Sequence, residues 1–203
     1  MLFRSPKAMF STLQTPTVGL LVLTFFLATF GFAEFEGTLS LLTKDFDYSN
    51  ESNAWIFAYV GFVLMLTQGL IYRRLVKKID EVKLMRIGVA FMFLGLAGLA
   101  VVAIVGKDAP LRQTGFLLSL ALGVFGFAFL TPSAQALISK RSDPARQGEV
   151  LGVNQSFSAL ARILGPVTGI VLFKAESSHV LPYAGAALLL AIVLAILPKI
   201  KRV

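Results

Sequence analysis

The chain has 203 residues, of which 56 % are hydrophobic and 15 % are charged, and its formal net charge is +8. Soluble domains carry about 25 % charged residues, and a soluble protein of this size has too little interior to hide so much apolar surface. The composition therefore excludes an ordinary soluble domain, a disordered chain and a nucleic-acid-binding protein. The absence of cysteine excludes disulfides and thiolate catalysis, and a single histidine, His179, leaves little for metal binding.

Long stretches without charge predict an all-α membrane protein with six transmembrane helices. A bilayer core needs about 20 mostly apolar residues per helix, and the backbone must satisfy its own hydrogen bonds there. In chain order, the predicted spans are residues 17–42, 53–72, 84–105, 114–138, 150–173 and 181–197. Residues 1–16 then form an N-terminal segment and residues 198–203 a tail. Alternatively, residues 18–33 belong to a cleaved signal peptide, although cleavage would leave an odd number of spans.

The loop charges predict that both termini are cytoplasmic. Of the 19 Lys and Arg residues, Arg162 lies deep within a predicted span, and fourteen lie in the termini and in the second and fourth loops, with Arg86 at the loop end of the third span counted among them. The remaining four lie on the other side, at Lys44, Lys107, Arg112 and Lys174. Because cytoplasmic loops are enriched in positive charge, we expect a multi-pass plasma-membrane protein, or an inner-membrane protein in a bacterium. A role as topology determinants alone would also account for these charges.

The polar content of the spans suggests a 3+3 inverted repeat. The first, second, fourth and fifth spans contain several polar residues, whereas the third has none within residues 87–105 and the sixth has only Tyr183. Three spans are an odd number, so the second set starts from the opposite side of the membrane, as in transporter halves. We expect the third and sixth helices to face lipid on most sides. Chance variation among the helices is the alternative. The candidate cavity-lining residues are Gln68, Gln135, Asn154, Gln155 and Ser158.

The fifth span carries two stripes. Its polar side chains recur every four residues, at Asn154, Ser158 and Arg162. Ala161, Gly165 and Gly169 form a neighbouring stripe of small residues, a pattern that allows helices to approach closely. Pro166 should bend or loosen the helix.

Glu34, Glu36 and Arg162 are the charged candidates for transport and coupling. At about 1.5 Å per residue, Arg162 lies ~18 Å and Glu34 ~25 Å from the cytoplasmic ends of their spans. An Arg at mid-membrane costs ~2.5–3.5 kcal/mol, so it should have a partner or water. The two carboxylates lie about 200° apart around the helix. We therefore expect the deeper Glu34 to pair with Arg162, and Glu36 to face the outer mouth of a cavity. A structural ion pair without a coupling role is the alternative.

Several segments resemble the major facilitator superfamily, in particular its drug:proton antiporter branch, which includes tetracycline efflux proteins. Residues 130–173, LTPSAQALISKRSDPARQGEVLGVNQSFSALARILGPVTGIVLF, resemble the family's helices ten and eleven. GFAEFEGTLSLLTKDF and AYVGFVLMLTQG resemble helices seven and eight. Part of the antiporter glycine-proline motif is matched by Gly152, Gly165, Pro166 and Gly169, which we take as helix-packing residues.

The loop GLIYRRLVKK resembles the second copy of the family's cytoplasmic motif. It is matched by Gly69, Arg74, Lys77 and Lys78, whereas Arg73 stands where an acidic residue is common and Val76 where a Gly is common. The resemblance implies a gating loop that braces adjacent helices. Arg74 should then contact a helix end or one of three carboxylates, Asp80, Glu81 or Glu149.

The resemblance implies that the chain corresponds to the C-terminal six-helix half of a twelve-helix secondary transporter. Such a transporter would export a small organic compound or drug, with the proton as coupling ion and no cofactor. The implied partners are the lipid bilayer, a small-molecule substrate, and either a complementary six-helix half or a second copy of the chain. A truncated or orphan membrane partner without transport activity of its own is the alternative.

Catalysis is not expected. Intramembrane serine proteases also have six helices, but they need a nucleophile and a base within the membrane. His179 lies in a predicted outside loop, and no Gly-x-Ser-x-Gly motif occurs.

The predicted topology can be tested by cysteine labelling, because the chain has no cysteine of its own. A single cysteine at Lys78 or Arg141 should be shielded from an impermeant thiol reagent in intact cells. A single cysteine at Lys44 or Lys174 should be labelled, because positive charge is retained on the cytoplasmic side. The reverse pattern, or labelling at all four positions, would contradict the predicted orientation.

Overall fold

In a computed structural model, residues 12–105 and 111–199 of the protein are described, and they are almost entirely helical, with no strand among them. The predicted N-terminal segment and tail therefore lie mostly outside the described residues. In chain order, the helices are α1 (Pro16–Asp45), α2 (Asn50–Leu66), α3 (Glu81–Ile104), α4 (Arg112–Arg141), α5 (Gln147–Ala175) and α6 (Leu181–Ile196). Between α2 and α3, a π-helical turn (Thr67–Tyr72) leads into a short helical segment (Arg73–Leu75).

Five helices in the described part of the chain are long and apolar enough to cross a membrane. They span Thr17–Asp45, Asn50–Leu75, Glu81–Ile104, Arg112–Arg141 and Gln147–Ala175. The sixth predicted span corresponds to the shorter apolar helix Leu181–Ile196, of 16 residues. These helices make the chain an all-α, multi-pass membrane protein. A count of six crossings, the inverted repeat and the orientation of the termini stay predictions.

Local residues define two of the helix starts. The Ser49 side chain accepts a hydrogen bond of 3.1 Å from the Ser52 N–H at the start of α2. Asp80 accepts one of 2.6 Å from the Val82 N–H at the start of α3. Such caps satisfy backbone donors that have no partner within the helix.

Helix α1 is the most buried long helix, and it packs against α4, α5 and α6. In the most apolar 18 residues of each long span, 72 % are buried in α1, 56 % in α4 and 39 % in α3, but only 28 % in α5 and 11 % in α2. The apolar helix α3 is therefore more buried within the chain than the polar-containing α2 and α5. The number of polar residues in a helix therefore does not predict how much of that helix is buried. A helix without polar residues still packs closely where its side chains are small.

The contact between α1 and α5 brings two backbones together. A Cβ added to Gly165 would lie 2.7 Å from the Ala33 Cβ, and one added to Gly169 would lie 2.9 Å from the Glu34 carbonyl oxygen. From the other side, a Cβ on Gly37 would lie 2.7 Å from the Pro166 Cβ. The small stripe of the fifth span is therefore a packing surface. The residue numbers of the contacting pairs increase together along α1 and α5, so the two helices run in the same direction.

Helices α3 and α4 pack through a second glycine contact, which the sequence did not predict for α3. A Cβ on Gly95 would lie 2.3 Å from the Gly123 nitrogen, and one on Gly126 would lie 2.3 Å from the Gly88 carbonyl oxygen. In contrast, Gly152 is exposed, and a Cβ there would meet no atom within 4 Å. Within the described residues Gly152 makes no close helix contact, so its role as a packing residue stays a prediction.

The glycine contact predicts that Gly165→Val destabilises the chain, whereas Gly152→Val does not. The larger side chain at residue 165 must push against the α1 backbone, and overpacking of this kind costs about 1–3 kcal/mol. Thermal unfolding of both purified variants in the same detergent checks this. The exposed Gly152 is the control for the intrinsic effect of Val in a helix. Equal midpoints for the two variants would contradict a backbone contact at Gly165.

Candidate functional site

Glu34 is a buried carboxyl at the contact between α1 and α5. It is 3 % exposed. The Thr168 hydroxyl of α5 lies 3.1 Å from Glu34 Oε1 and donates a hydrogen bond to it. Glu34 Oε2 is also buried and has no hydrogen-bond partner among the described residues. The side chain is therefore held at one oxygen by a neighbouring helix.

Thr168 offers Glu34 an adaptable partner. The Thr168 Oγ1 atom also lies 3.0 Å from the Leu164 carbonyl oxygen and 2.9 Å from that of Gly165. A hydroxyl has a single hydrogen but can also accept. The hydroxyl hydrogen of Thr168 can therefore point to Glu34 or to the backbone of its own helix. In the second case, the Thr168 oxygen can accept a hydrogen bond from a neutral Glu34 carboxyl.

The expected ion pair between Arg162 and a carboxylate is absent among the described residues. The prediction of Glu34 as the partner was wrong, because Glu34 is buried at the contact between α1 and α5, whereas Arg162 lies on the exposed side of α5. Arg162 lies about 9 Å below Thr168 along α5, and about 100° around the helix from the buried Ala161. Its side chain is exposed. Glu36 is also exposed and does not pair with it.

The candidate cavity-lining residues fall into different environments. Asn154 and Ser158 lie on the buried face of α5, at 0 % and 6 % exposure. Both amide atoms of Asn154 lack a hydrogen-bond partner within the described part of the chain. Gln155 is exposed, and Gln68 and Gln135 are partly buried. The structure therefore places Asn154 and Ser158 on the buried face of α5 that also carries Gly165 and Gly169. It does not bring all five candidates around one cavity.

Thr168 was missed as a site residue by sequence reasoning, which counted it only as a polar residue of the fifth span. A helical wheel contains the signal, since residues 161, 165 and 168 follow the spacing of one helix face. Tyr72 was also missed, since it was not counted among the polar residues of the second span. Its hydroxyl is buried and accepts a hydrogen bond of 3.2 Å from Ser133 of α4, and its ring packs edge-on against Phe129. This contact fixes the end of the π-helical turn.

The loop after α2 forms a cationic cavity. Gly69, Leu70, Arg73, Arg74, Lys77 and Lys78 line a space of about 460 Å³. This space contains the four residues that match the family's cytoplasmic motif, so the structure brings that predicted set together.

The three carboxylates expected near Arg74 have other partners. Asp80 caps α3, Glu81 forms an ion pair with Lys140 of α4, and Glu149 forms one of 2.6 Å with Arg146. The hydrogen bond that the Arg146 guanidinium donates to Glu149 raises the pKa of Arg146 above its usual range. Among the described residues, none of the three pairs with Arg74, because each carboxylate is used at a helix start or between helices. The carboxylate alternative was therefore wrong, and a contact between Arg74 and a helix end stays a prediction.

The sequence of residues 3–202 matches the profile of the Major Facilitator Superfamily. The chain belongs to this family. Its members are membrane transporters rather than enzymes, so the chain is a membrane protein of a transporter family.

Curated relatives agree with this family and are longer than the chain. Major facilitator superfamily domain-containing protein 10 of Mus musculus is 29 % identical over 159 residues, covering 78 % of this chain and 33 % of that protein. Multidrug resistance protein 2 of Bacillus subtilis (strain 168) is 26 % identical over 181 residues, covering 87 % and 42 %. Solute carrier family 22 member 18 of Rattus norvegicus is 25 % identical over 163 residues, covering 79 % and 37 %. The chain thus spans about a third to two fifths of the relatives' length.

Because Arg162 contacts no carboxylate in the described structure, its removal should leave folding almost unchanged. We expect Arg162→Ala to change the free energy of unfolding by less than about 0.5 kcal/mol, as for other exposed side chains. Ala161→Leu, at the adjacent fully buried position, should destabilise by about 1–3 kcal/mol. Thermal unfolding of the purified chain measures both. A large loss of stability in Arg162→Ala would instead support the hypothesis that Arg162 forms a structural ion pair.

Proposed function

We propose that the chain is the C-terminal half of a secondary transporter that exports a small organic compound in exchange for protons, with Glu34 as the proton-binding group. The observation that carries this is a carboxyl buried at a helix contact, with one hydroxyl partner and no cation beside it within the described residues. No cofactor is needed for this role, since the proton is the coupling ion.

The proton-binding role follows from burial and from the position of Glu34. Forming a charge on a buried carboxyl that lacks a cation is costly, so the group tends to release its proton only when water or a cation reaches it. Glu34 lies on the helix that packs against α4, α5 and α6, and its partner Thr168 lies on the largely exposed α5. A movement of α5 relative to α1 would therefore change the surroundings of the carboxyl.

The exposed sides of α2 and α5 support a partner for this half. Only 11 % and 28 % of their most apolar stretches are buried within the chain, although both contain polar residues. Gln155 and Arg162 are exposed on α5, and polar and charged groups at membrane depth belong against protein or water rather than lipid. We therefore propose that these faces meet a complementary six-helix half across a substrate cavity, with Arg162 and Glu36 toward the aqueous side. A second copy of the chain is the other way to cover them.

The proposed substrate class rests on a relative. The Bacillus subtilis protein is named for multidrug resistance, which supports efflux of drug-like organic compounds at the plasma membrane. The excess of cationic residues in the second and fourth loops and in the termini supports cytoplasmic termini, and the cationic loop Gly69–Lys78 supports a gating role at that surface.

Transport assays with Glu34→Gln test the proposal. The chain is co-expressed with a complementary six-helix half and reconstituted in liposomes that contain a pH-sensitive dye. We expect Glu34→Gln to reduce drug-dependent proton movement by at least about tenfold, since an amide cannot bind and release the proton. Glu176→Gln is the matched control, because it removes an exposed carboxylate just after α5 that lies outside the proposed coupling site, and it should retain coupling. Membrane abundance is measured for both.

Different outcomes separate the interpretations. Loss of proton movement in Glu34→Gln at normal abundance supports coupling, and loss of abundance points to a structural role. Equal proton movement in Glu34→Gln and the unmodified chain would contradict the proposal. Because the chain spans only a third to two fifths of its relatives' length, an orphan membrane partner is the second candidate. Failure of the unmodified chain to support transport with any complementary half would favour it.

A further inference from the structure

The sequence that follows α2 places four cations on one side of the chain. Arg73 and Arg74 lie four residues after Gly69 and Leu70, and Lys77 and Lys78 lie four residues further on. Residues spaced by four lie on the same face of a helical segment. All six line the cavity of about 460 Å³, and all four cationic side chains in it are exposed or lie at its open surface.

Contacts on the opposite side of the turn hold the cavity in place. Thr67 and Tyr72, the two ends of the π-helical turn, are buried, and the Tyr72 hydroxyl is bonded to Ser133 of α4. Gly69 leaves space, since a Cβ there would meet no atom within 4 Å. The cationic face is therefore presented by an anchored turn. π-helical turns are frequently found at functional sites.

No carboxylate in the described structure neutralises these four cations. The acidic residues that follow in the chain are Asp80, which caps α3, and Glu81, which pairs with Lys140. Glu149 pairs with Arg146. The cavity lining itself contains no acidic residue. Four like charges around one cavity repel one another, so a bound anion would relieve that repulsion.

The surface next to the cavity is apolar, which favours an amphipathic anion. Leu70 in the lining is 53 % exposed. Earlier in the chain, on α2, the side chain of Met65 is 61 % exposed and that of Phe62 is 54 % exposed. These side chains lie near the loop end of a helix long and apolar enough to cross the membrane, so an acyl chain can lie along the part of α2 that the proposed complementary half leaves uncovered, while a phosphate lies among the cations. Clusters of Lys and Arg directly beside a transmembrane helix are typical of sites for anionic lipid head groups.

We propose that this cavity binds the phosphate of an anionic phospholipid in the leaflet that faces the loop. The guanidinium groups of Arg73 and Arg74 are suited to bidentate contact with phosphate oxygens, and Lys77 and Lys78 add charge. The lipid stabilises the turn after α2.

The test uses the full chain, purified in a neutral detergent. Its thermal midpoint and its retained lipid, counted by native mass spectrometry, are measured with added phosphatidylglycerol, phosphatidylcholine or inorganic phosphate. We expect phosphatidylglycerol alone to raise the midpoint and to remain bound. Arg73→Gln with Arg74→Gln should weaken the apparent affinity for phosphatidylglycerol about tenfold. Lys77→Gln with Lys78→Gln should do the same, and this second pair serves if the first fails to fold.

The matched control is Lys83→Gln with Arg146→Gln, which removes the same charge from exposed positions outside the cavity. The control should bind phosphatidylglycerol like the unmodified chain. An equal loss in the control and in both cavity pairs would overturn the proposal, because net charge alone would then explain binding. A shift caused equally by inorganic phosphate, and lost in the cavity pairs, would overturn the lipid assignment in favour of a free-anion site. Absence of any shift or bound lipid would also overturn it.

Discussion

The rest of the structure depends on the approach of α1 and α5 to backbone contact. Within a bilayer, lipid is as apolar as the side chains, so helices associate through close packing rather than through the hydrophobic effect. Gly165 and Gly169 on one side, and Gly37 on the other, remove the side chains that would hold the helices apart. Because α1 also packs against α4 and α6, this contact positions α5 relative to all of them.

The same contact creates the environment of Glu34. A carboxyl on an exposed helix face would reach water or lipid head groups, but at this crossing both neighbouring backbones exclude solvent, and its exposure falls to 3 %. Thr168 supplies a hydroxyl at hydrogen-bond distance because it lies on the same face as Gly165. The packing of α1 against α5 therefore both buries the Glu34 carboxyl and places its hydrogen-bond partner beside it.

Sequence reasoning predicted what repeats along the chain and missed what depends on pairs of helices. Charge-free stretches identified the five long apolar helices, the resemblance of several segments identified the family, and a four-residue spacing identified the packing stripe at Gly165 and Gly169. The partner of Glu34 was predicted wrongly, since depth along a helix does not give its rotation against a neighbour. Gly88 and Gly95 were missed for the same reason, because glycines in an apolar span show no stripe until the facing helix is known. The roles of Gln68, Gln135 and Gln155 stay predictions.

Two groups of cations in the chain need different explanations. The cations near Lys78 lie at the end of a predicted span, where side chains reach head groups and water, so they can remain charged without a carboxylate. Arg162 lies within a predicted span, where a charge costs ~2.5–3.5 kcal/mol if it faces lipid. No carboxylate of the described chain compensates it, and yet its side chain is exposed. The exposed side of α5 at Arg162 must therefore face water or another protein surface, which is the condition that a cavity between two halves would meet.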